Sequence, residues 1–297
     1  PEPIQPPHLL SQISETIRRF VIMDAVQADA LALWVAHTHL FEEAQISPIA
    51  IINAPERECA KTLLQDVLSR FISRPLMVAN ITESSLFRVV EKYSPTLFLD
   101  EADTFFKSHP DLHGMVNAGY RRGGCVYRTE KVGDSFEVRA FNVFSPKSIA
   151  GIALERHLPD ATMSRGLVFN LRRKLPEEKV ERLRYAQPGL FYELASKLAR
   201  FAQDYVEQVR RARPEMPDAL SDRAQDNWEI LFAIAECAGP QWQERARIAA
   251  LELSGKKLAL MNTGNELLSD IQEIFQMKGA SKISSADLIE ELEKIEE

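Results

Sequence analysis

Two short apolar runs in this chain each lead to a pair of residues suited to binding charge. Thr96-Leu97-Phe98-Leu99 is followed at once by Asp100 and Glu101, and the run from Pro48 to Asn53 leads, after a turn, to Lys61 and Thr62. A four-residue apolar strand closing on two carboxylates has few structural uses, because a buried charge demands a partner. Metal coordination by one carboxylate and water activation by the other answer that demand. The pattern predicts that Lys61 holds phosphate oxygens, that Thr62 and Asp100 hold Mg²⁺, and that Glu101 polarises an attacking water.

The surrounding pattern places both pairs in the right kind of fold. Strand-like and helical stretches alternate from residue 47: strand Pro48–Asn53, helix from Lys61 to about Phe71, strand Arg74–Asn80, a helix capped by Thr82 through Tyr93, strand Thr96–Asp100. Such alternation implies a parallel sheet covered by helices, with ligands outside the carboxyl ends of the strands. Residues 8–44 carry two earlier helical patterns with Asp24 as a possible cap between them; His37 and His39, on the second, read as packing or surface residues. A short helix, Asp111 to Tyr120, precedes Cys125–Glu130 and Ser135–Arg139, which flank a Gly133-Asp134 turn and form a β-hairpin. Phe141–Ser145 and Leu167–Leu171 read as further strands. Beyond Pro176 the chain is helical throughout, with pieces at 188–213, 222–237 (Ser221 as cap), 240–253, 265–277 and from Ser285.

The expected organisation is an N-terminal helical segment at 1–45 and a nucleotide-binding core at 46–175. A helical, lid-like region at 176–255 and a C-terminal helical segment at 256–297 follow. A proline-rich start and an amphipathic finish without a stop signal suggest a fragment of a longer protein.

The phosphate turn departs from the usual pattern of Gly, four residues, Gly-Lys-Ser/Thr. Here the stretch is Pro55-Glu56-Arg57-Glu58-Cys59-Ala60-Lys61-Thr62, with both glycines missing. A Cβ at Ala60 crowds an approaching phosphate or opposes a positive φ, and Glu56 and Glu58 add negative charge beside an anion. Two readings therefore stand: a working NTPase, or an NTPase fold that has lost tight binding.

The net charge of −7 argues against a surface that binds polyanions everywhere, though not against local basic patches. Three cysteines, Cys59, Cys125 and Cys237, have no paired spacing and suggest neither a disulfide framework nor a zinc site. No apolar run approaches the length of a membrane span, and the first residues lack a signal peptide's basic and apolar regions. These features predict a cytoplasmic protein.

Several segments resemble a known family: Ser47 through Leu64, Pro75 through Ile81, Thr96–Phe105, Asn117-Ala118-Gly119, Ser145–Gly151, Leu158–Arg165 and Leu220–Trp228. They are similar to a P-loop ATPase domain, related to AAA+ and superfamily-three helicases, of phage, plasmid and integrative-element primase–helicase-like proteins. Members usually carry Cys-Gly-Lys-Thr where this chain has Cys59-Ala60-Lys61-Thr62. The resemblance implies an α/β, AAA+-like P-loop NTPase with a β-hairpin insertion and a C-terminal all-α region.

It also implies roles. Cys59, Ala60, Lys61 and Thr62 would cradle ATP, and Ser145 or Lys147, after the strand Phe141–Ser145, would sense the γ-phosphate. Arg165 would serve as an arginine finger towards a neighbouring subunit; a salt bridge to Asp160 or Glu155 is the other reading. The hairpin would hold single-stranded DNA through Arg121, Arg122, Arg128 and Lys131, with Tyr127 stacking, or be a solvated surface element. Arg172-Arg173-Lys174 reads as a further basic contact or a solvated edge. The implied protein is an ATP- and Mg²⁺-dependent, ring-forming motor domain of a mobile-element replication protein. The alternative is a degenerate nucleotide-, DNA- or partner-binding module with little hydrolysis.

Overall fold

The computed structural model describes residues 4–78, 81–108, 112–133, 135–278 and 282–293. It divides into two compact units, Pro1–Leu253 and Ser254–Glu297.

The first unit is α/β, built on a five-stranded, all-parallel sheet in the order β2-β3-β6-β1-β7. The strands are β1 (Ile49–Ala54), β2 (Pro75–Val78), β3 (Thr96–Leu99), β6 (Lys147–Ile152) and β7 (Gly166–Asn170). Successive side chains alternate between two apolar layers. Ala50, Ile52, Phe98, Ala150, Leu167 and Phe169 point into one. Ile49, Ile51, Leu97, Leu99 and Ile149 point into the other. Burial on both faces is why these strands read as continuous apolar runs rather than alternating ones. Pro75 opens the edge strand β2, where its missing N–H is tolerated.

The first layer is formed with α1 (Pro6–Phe20), α2 (Ala25–Thr38), α3 (Lys61–Ser69), α8 (Pro188–Arg211) and α9 (Asp222–Cys237). Twelve of the fourteen α2 residues are buried, so it is a central helix without a polar face. The second layer is formed with α4 (Glu83–Tyr93), α5 (Ala102–Ser108), α6 (Leu112–Ala118) and the short α7 (Asp160–Met163). Thr82 caps α4 by accepting the Ser85 N–H. Gln65, buried on α3, donates to the Leu99 carbonyl and to Ser148 Oγ, which fixes α3 over β3 and β6.

The hairpin β4 (Cys125–Val132) and β5 (Ser135–Asn142) forms a separate two-stranded sheet. The helix α10 (Pro240–Lys278) begins in the first unit, where Arg245 pairs with buried Asp29 and Trp242 Nε1 donates to the Pro7 carbonyl. In the second unit Ser284 caps α11 (Ser285–Glu293), and Lys278 lies 3.1 Å from Glu291.

Three sequence expectations are corrected. Phe141 and Asn142 end the hairpin, and the central strand is β6, starting only at Lys147; Phe141, Val143 and Phe144 are buried without being part of the parallel sheet. Residues 171–187 are irregular apart from one 3-10 turn at Leu183–Tyr185, so helix resumes at Pro188 and not at Pro176. No interruption of the helix occurs at 255–264, because α10 runs through it, although the two compact units divide beside it, at Leu253 and Ser254. Ala79, Asn80, Asp111 and Asp134, assigned above to a strand end, a helix start and a turn, lie outside the described residues.

Candidate functional site

At the carboxyl edge of the sheet, β1 and β3 deliver the two sequence pairs to one place. Thr62 Oγ1, in the first turn of α3, donates to Asp100 Oδ2 at 2.6 Å. The other carboxylate oxygen of Asp100 accepts the Glu101 N–H at 2.8 Å. Glu101 itself is exposed and stands at φ 50.

The turn before α3 is held in an unusual backbone conformation. Glu58 and Ala60 both have φ 62, the left-handed region in which a Cβ is unfavourable. Ala60 is the residue preceding helix α3, in the position where the usual motif has glycine. Glu101 and Ala153 (φ 46) are strained in the same way. Four non-glycine residues with positive φ therefore sit at the carboxyl ends of β1, β3 and β6. Two others among the described residues, Arg74 (φ 58) and Ser94 (φ 43), precede β2 and β3 at the opposite end.

Lys61 Nζ donates to the Glu56 carbonyl at 3.2 Å, so its ammonium lies over the turn. Cys59 is buried, and its thiol contacts the Arg57 carbonyl at 3.7 Å. The N-terminus of the nine-residue α3 and this turn offer backbone N–H groups to an anion. Thr62 and Asp100 are hard oxygen donors of the kind Mg²⁺ takes from a protein when phosphates and water complete its shell. Among the described residues no group of three or more His, Cys, Asp or Glu is placed to hold a metal by itself.

Two features of this edge escaped sequence reasoning, and a third was read only as part of a basic triplet. Asn53, at the end of β1, donates to Glu155 Oε2 (3.1 Å) and Asn170 Oδ1 (3.0 Å) and accepts the Leu154 N–H (2.9 Å). It thereby stitches the ends of β1, β6 and β7 together. Asp103 Oδ1 accepts the Ile152 N–H, and a Cβ on Gly151 would come within 2.8 Å of that oxygen. Arg173 lies 3.1 Å from Glu58 and 3.6 Å from Glu56, across from the turn. The only sequence signal for Arg173 is its place in a basic triplet.

Ser145 and Lys147 are not part of this edge. They lie at the amino end of β6, fully enclosed, with Lys147 Nζ donating to the Gly119 (2.7 Å) and Ser145 (2.6 Å) carbonyls. A Cβ on Gly119 would come within 2.0 Å of the Val143 carbonyl, so only glycine fits there. Burial lowers the Lys147 pKa to about 7, and a neutral amine has two N–H donors for these two acceptors. The expected phosphate contact fails because the strand starts later than its apolar pattern suggested.

Arg165 also lies at the amino end, its carbonyl accepting the Ile49 N–H at 3.1 Å. Neither Asp160 nor Glu155 pairs with it. Its guanidinium lies 5.6 Å from the centre of the Tyr120 ring and donates to the Ala161 carbonyl. Arg223 lies 5.6 Å from the same ring and 3.9 Å from Asp226. Tyr120 donates to Asn227 at 2.7 Å, and Asn227 donates to the Ser164 carbonyl at 3.0 Å. Ser221 caps α9 and Trp228 is buried, which gives the 221–228 stretch a structural role.

The hairpin is lashed to α4. Arg128 pairs with Glu83, Arg88 with Glu130 (2.7 Å), and Arg139 with Glu91 (2.9 Å). Arg128 is thus committed within the fold, and Arg122 donates from Nε to the Ala44 carbonyl at 2.9 Å. Arg121 and Lys131 are exposed. The strand alternation puts Tyr127, Thr129 and Lys131 with Phe136 and Val138 on the face away from Arg128; Tyr127, Phe136 and Val138 are two-thirds exposed or more.

Fold and site together define a parallel α/β protein with a hydroxyl–carboxylate pair, Thr62 and Asp100, and a left-handed turn at the carboxyl edge of its sheet. Residues 170–297 match the model of a family described as a protein of unknown function (DUF3631). The chain is also similar to a Saccharopolyspora erythraea protein described as "Uncharacterized 28.9 kDa protein in xis 5'region". The two are 39% identical over 84 residues, 28% of this chain and 31% of that relative. The chain thus spans about a third of the curated relative it matches. No helix among the described residues is long and apolar enough to cross a membrane.

Proposed function

We propose that this chain is an ATP-binding and ATP-hydrolysing, AAA+-like P-loop motor domain of a mobile-element DNA replication protein. The observation that carries the reading is the 2.6 Å contact between Thr62 Oγ1 and Asp100 Oδ2. It joins a hydroxyl after the phosphate turn to a carboxylate after the neighbouring motif strand. The strand order, with β6 between β1 and β3, supports the AAA+-like class. The name of the Saccharopolyspora relative, set in an xis region, supports the mobile-element setting.

In this reading the Cys59–Lys61 N–H groups and the Lys61 ammonium bind β- and γ-phosphate oxygens, and Thr62 and Asp100 hold Mg²⁺. The ion, when bound, neutralises charge on those oxygens. Glu101 orients a water towards the γ-phosphorus and takes its proton. Arg165 stands a strand's length away, roughly 17–20 Å for six residues of β1. From there it would reach no phosphate of its own subunit; as an arginine finger it would act on a neighbour's, in a homo-oligomeric ring. Single-stranded DNA is the proposed partner of the hairpin, through Lys131, Arg121 and the exposed aromatic face.

A second reading, a degenerate module with little hydrolysis, is favoured by the left-handed Ala60 and by the acids of the turn. Phosphate release with and without single-stranded DNA separates the two. The motor reading expects DNA-stimulated turnover that Glu101→Gln abolishes while nucleotide binding persists. Equal, slow release by wild type and variant contradicts it.

A further inference from the structure

The acidic turn poses an electrostatic problem that its immediate sequence does not solve. Glu56 and Glu58 are exposed in the turn on which an anion would lie, and their charges oppose its binding. Arg57 and Lys61 only balance Glu56 and Glu58, which leaves the turn without net positive charge. A further cation comes from the neighbouring edge strand: Arg173, three residues past the end of β7, places Nη2 3.1 Å from Glu58 and Nε 3.6 Å from Glu56. The same guanidinium lies 3.5 Å from the Arg57 carbonyl.

The segment carrying Arg173 is anchored on both sides. Leu171 N–H donates to the Asn53 carbonyl at 2.8 Å, which fixes the exit from β7 beside β1. Arg172 pairs with Glu178, and Glu181 pairs with Arg19 of α1 at 2.9 Å. Arg173 is thus delivered to the turn by a braced loop, while its own ion pairs are half-exposed or more. Exposed pairs of this kind are weak, whereas a guanidinium on a phosphate forms charge-assisted, bidentate hydrogen bonds. A polyphosphate on the turn would outcompete the two glutamates for it.

We propose that Arg173 is a phosphate-binding residue of this site, held in reserve by Glu56 and Glu58 and exchanging them for the oxygens of a bound nucleoside triphosphate. The inference rests on the nucleotide reading above and assigns that site a cation outside its two motifs. It also gives the acids of the turn a purpose, since they keep Arg173 in place at the cost of some affinity.

The test is a titration of the full chain with Mg²⁺–ATP, comparing wild type, Arg173→Gln, Glu56→Gln/Glu58→Gln and the triple variant. Arg173→Gln should weaken binding about tenfold or more, because one charge-assisted contact is lost. Glu56→Gln/Glu58→Gln should tighten it, and the triple variant should lose that gain and bind about tenfold more weakly than the double. Thermal unfolding without nucleotide should barely change in any of them, because the pairs are exposed. Binding by Arg173→Gln within twofold of wild type overturns the inference and leaves the nucleotide reading intact. So does a triple variant that binds as tightly as the double, since Arg173 would then only neutralise the acids. Wild type that binds no ATP contradicts the nucleotide reading itself, and the inference falls with it.

Discussion

Thr62 Oγ1 and Asp100 Oδ2 stand 2.6 Å apart although 38 residues separate them in the chain. Each follows an apolar strand of one parallel sheet, and β1 and β3 both flank β6; β3 ends at Leu99, level with Ile51, while β1 runs on to Ala54, so the turn before α3 brings Thr62 back to Asp100. If this pair holds the metal, Thr62→Ala and Asp100→Ala should each lower Mg²⁺-dependent ATP affinity at least tenfold, about 1.4 kcal/mol, in a calorimetric titration. Binding in EDTA should be the same for wild type and both variants. Equal Mg²⁺ dependence in all three would remove the pair from the metal site.

The left-handed backbone of Ala60 makes a separate prediction. A non-glycine residue in that region costs about 1–2 kcal/mol, and replacing alanine by glycine returns about 0.4–1 kcal/mol as extra unfolded-chain entropy. Ala60→Gly should therefore stabilise the nucleotide-free protein by roughly 0.5–1 kcal/mol in denaturant unfolding. It should also tighten ATP binding, since the Cβ beside the phosphates is gone. A destabilised variant would show that φ 62 at this residue carries no strain.

Lys147 gives the fold a pH dependence of known sign. Its pKa is about 7 in the folded chain, lowered by burial from an ordinary 10.5. Between those values the unfolded chain binds the extra proton, so stability rises with pH. The contribution is complete above about 10.5 and is lost as pH falls through 7. Lys147→Met should flatten this part of the stability profile relative to wild type, a difference of up to ~1.4 kcal/mol per pH unit. It should also leave the Gly119 and Ser145 carbonyls without a donor, at about 1–3 kcal/mol. Unchanged slopes would mean that the amine stays charged in the folded protein.

On the hairpin, Arg128 and Lys131 should behave differently despite their shared charge. Arg128 is paired with Glu83 on α4, whereas Lys131 is exposed. Lys131→Ala should weaken single-stranded DNA binding and lower its log–log salt slope by about 0.7, with unfolding unchanged. Arg128→Ala should loosen the hairpin's attachment, read as faster amide exchange over 125–142. A lower salt slope for Arg128→Ala alone would reverse these assignments.

What could be read from the sequence was what is local. The Thr82 and Ser221 caps, the hairpin, and the strands before Lys61 and Asp100 each rest on neighbouring residues, and each is found within a few positions of its expected bounds. The central strand was misplaced because it opens on a lysine: patterns treat lysine as solvent-facing, and nothing local announces that two carbonyls wait for its amine. Asn53 was passed over, and Arg173 was read only as part of a basic triplet, for a related reason. Their partners lie more than 100 residues away and are neighbours only through the order of strands in the sheet.

The account stands on a nucleoside triphosphate and its metal lying between the turn at 55–62 and the carboxylates at 100–101. Titrating the full chain with ATP, in Mg²⁺ and again in EDTA, while following thermal unfolding tests this most directly, because a ligand of the folded state raises its apparent stability. The account predicts a saturable rise in Mg²⁺ that shrinks in EDTA and in Asp100→Ala. No shift at millimolar ATP, or the same shift in all three conditions, would contradict it.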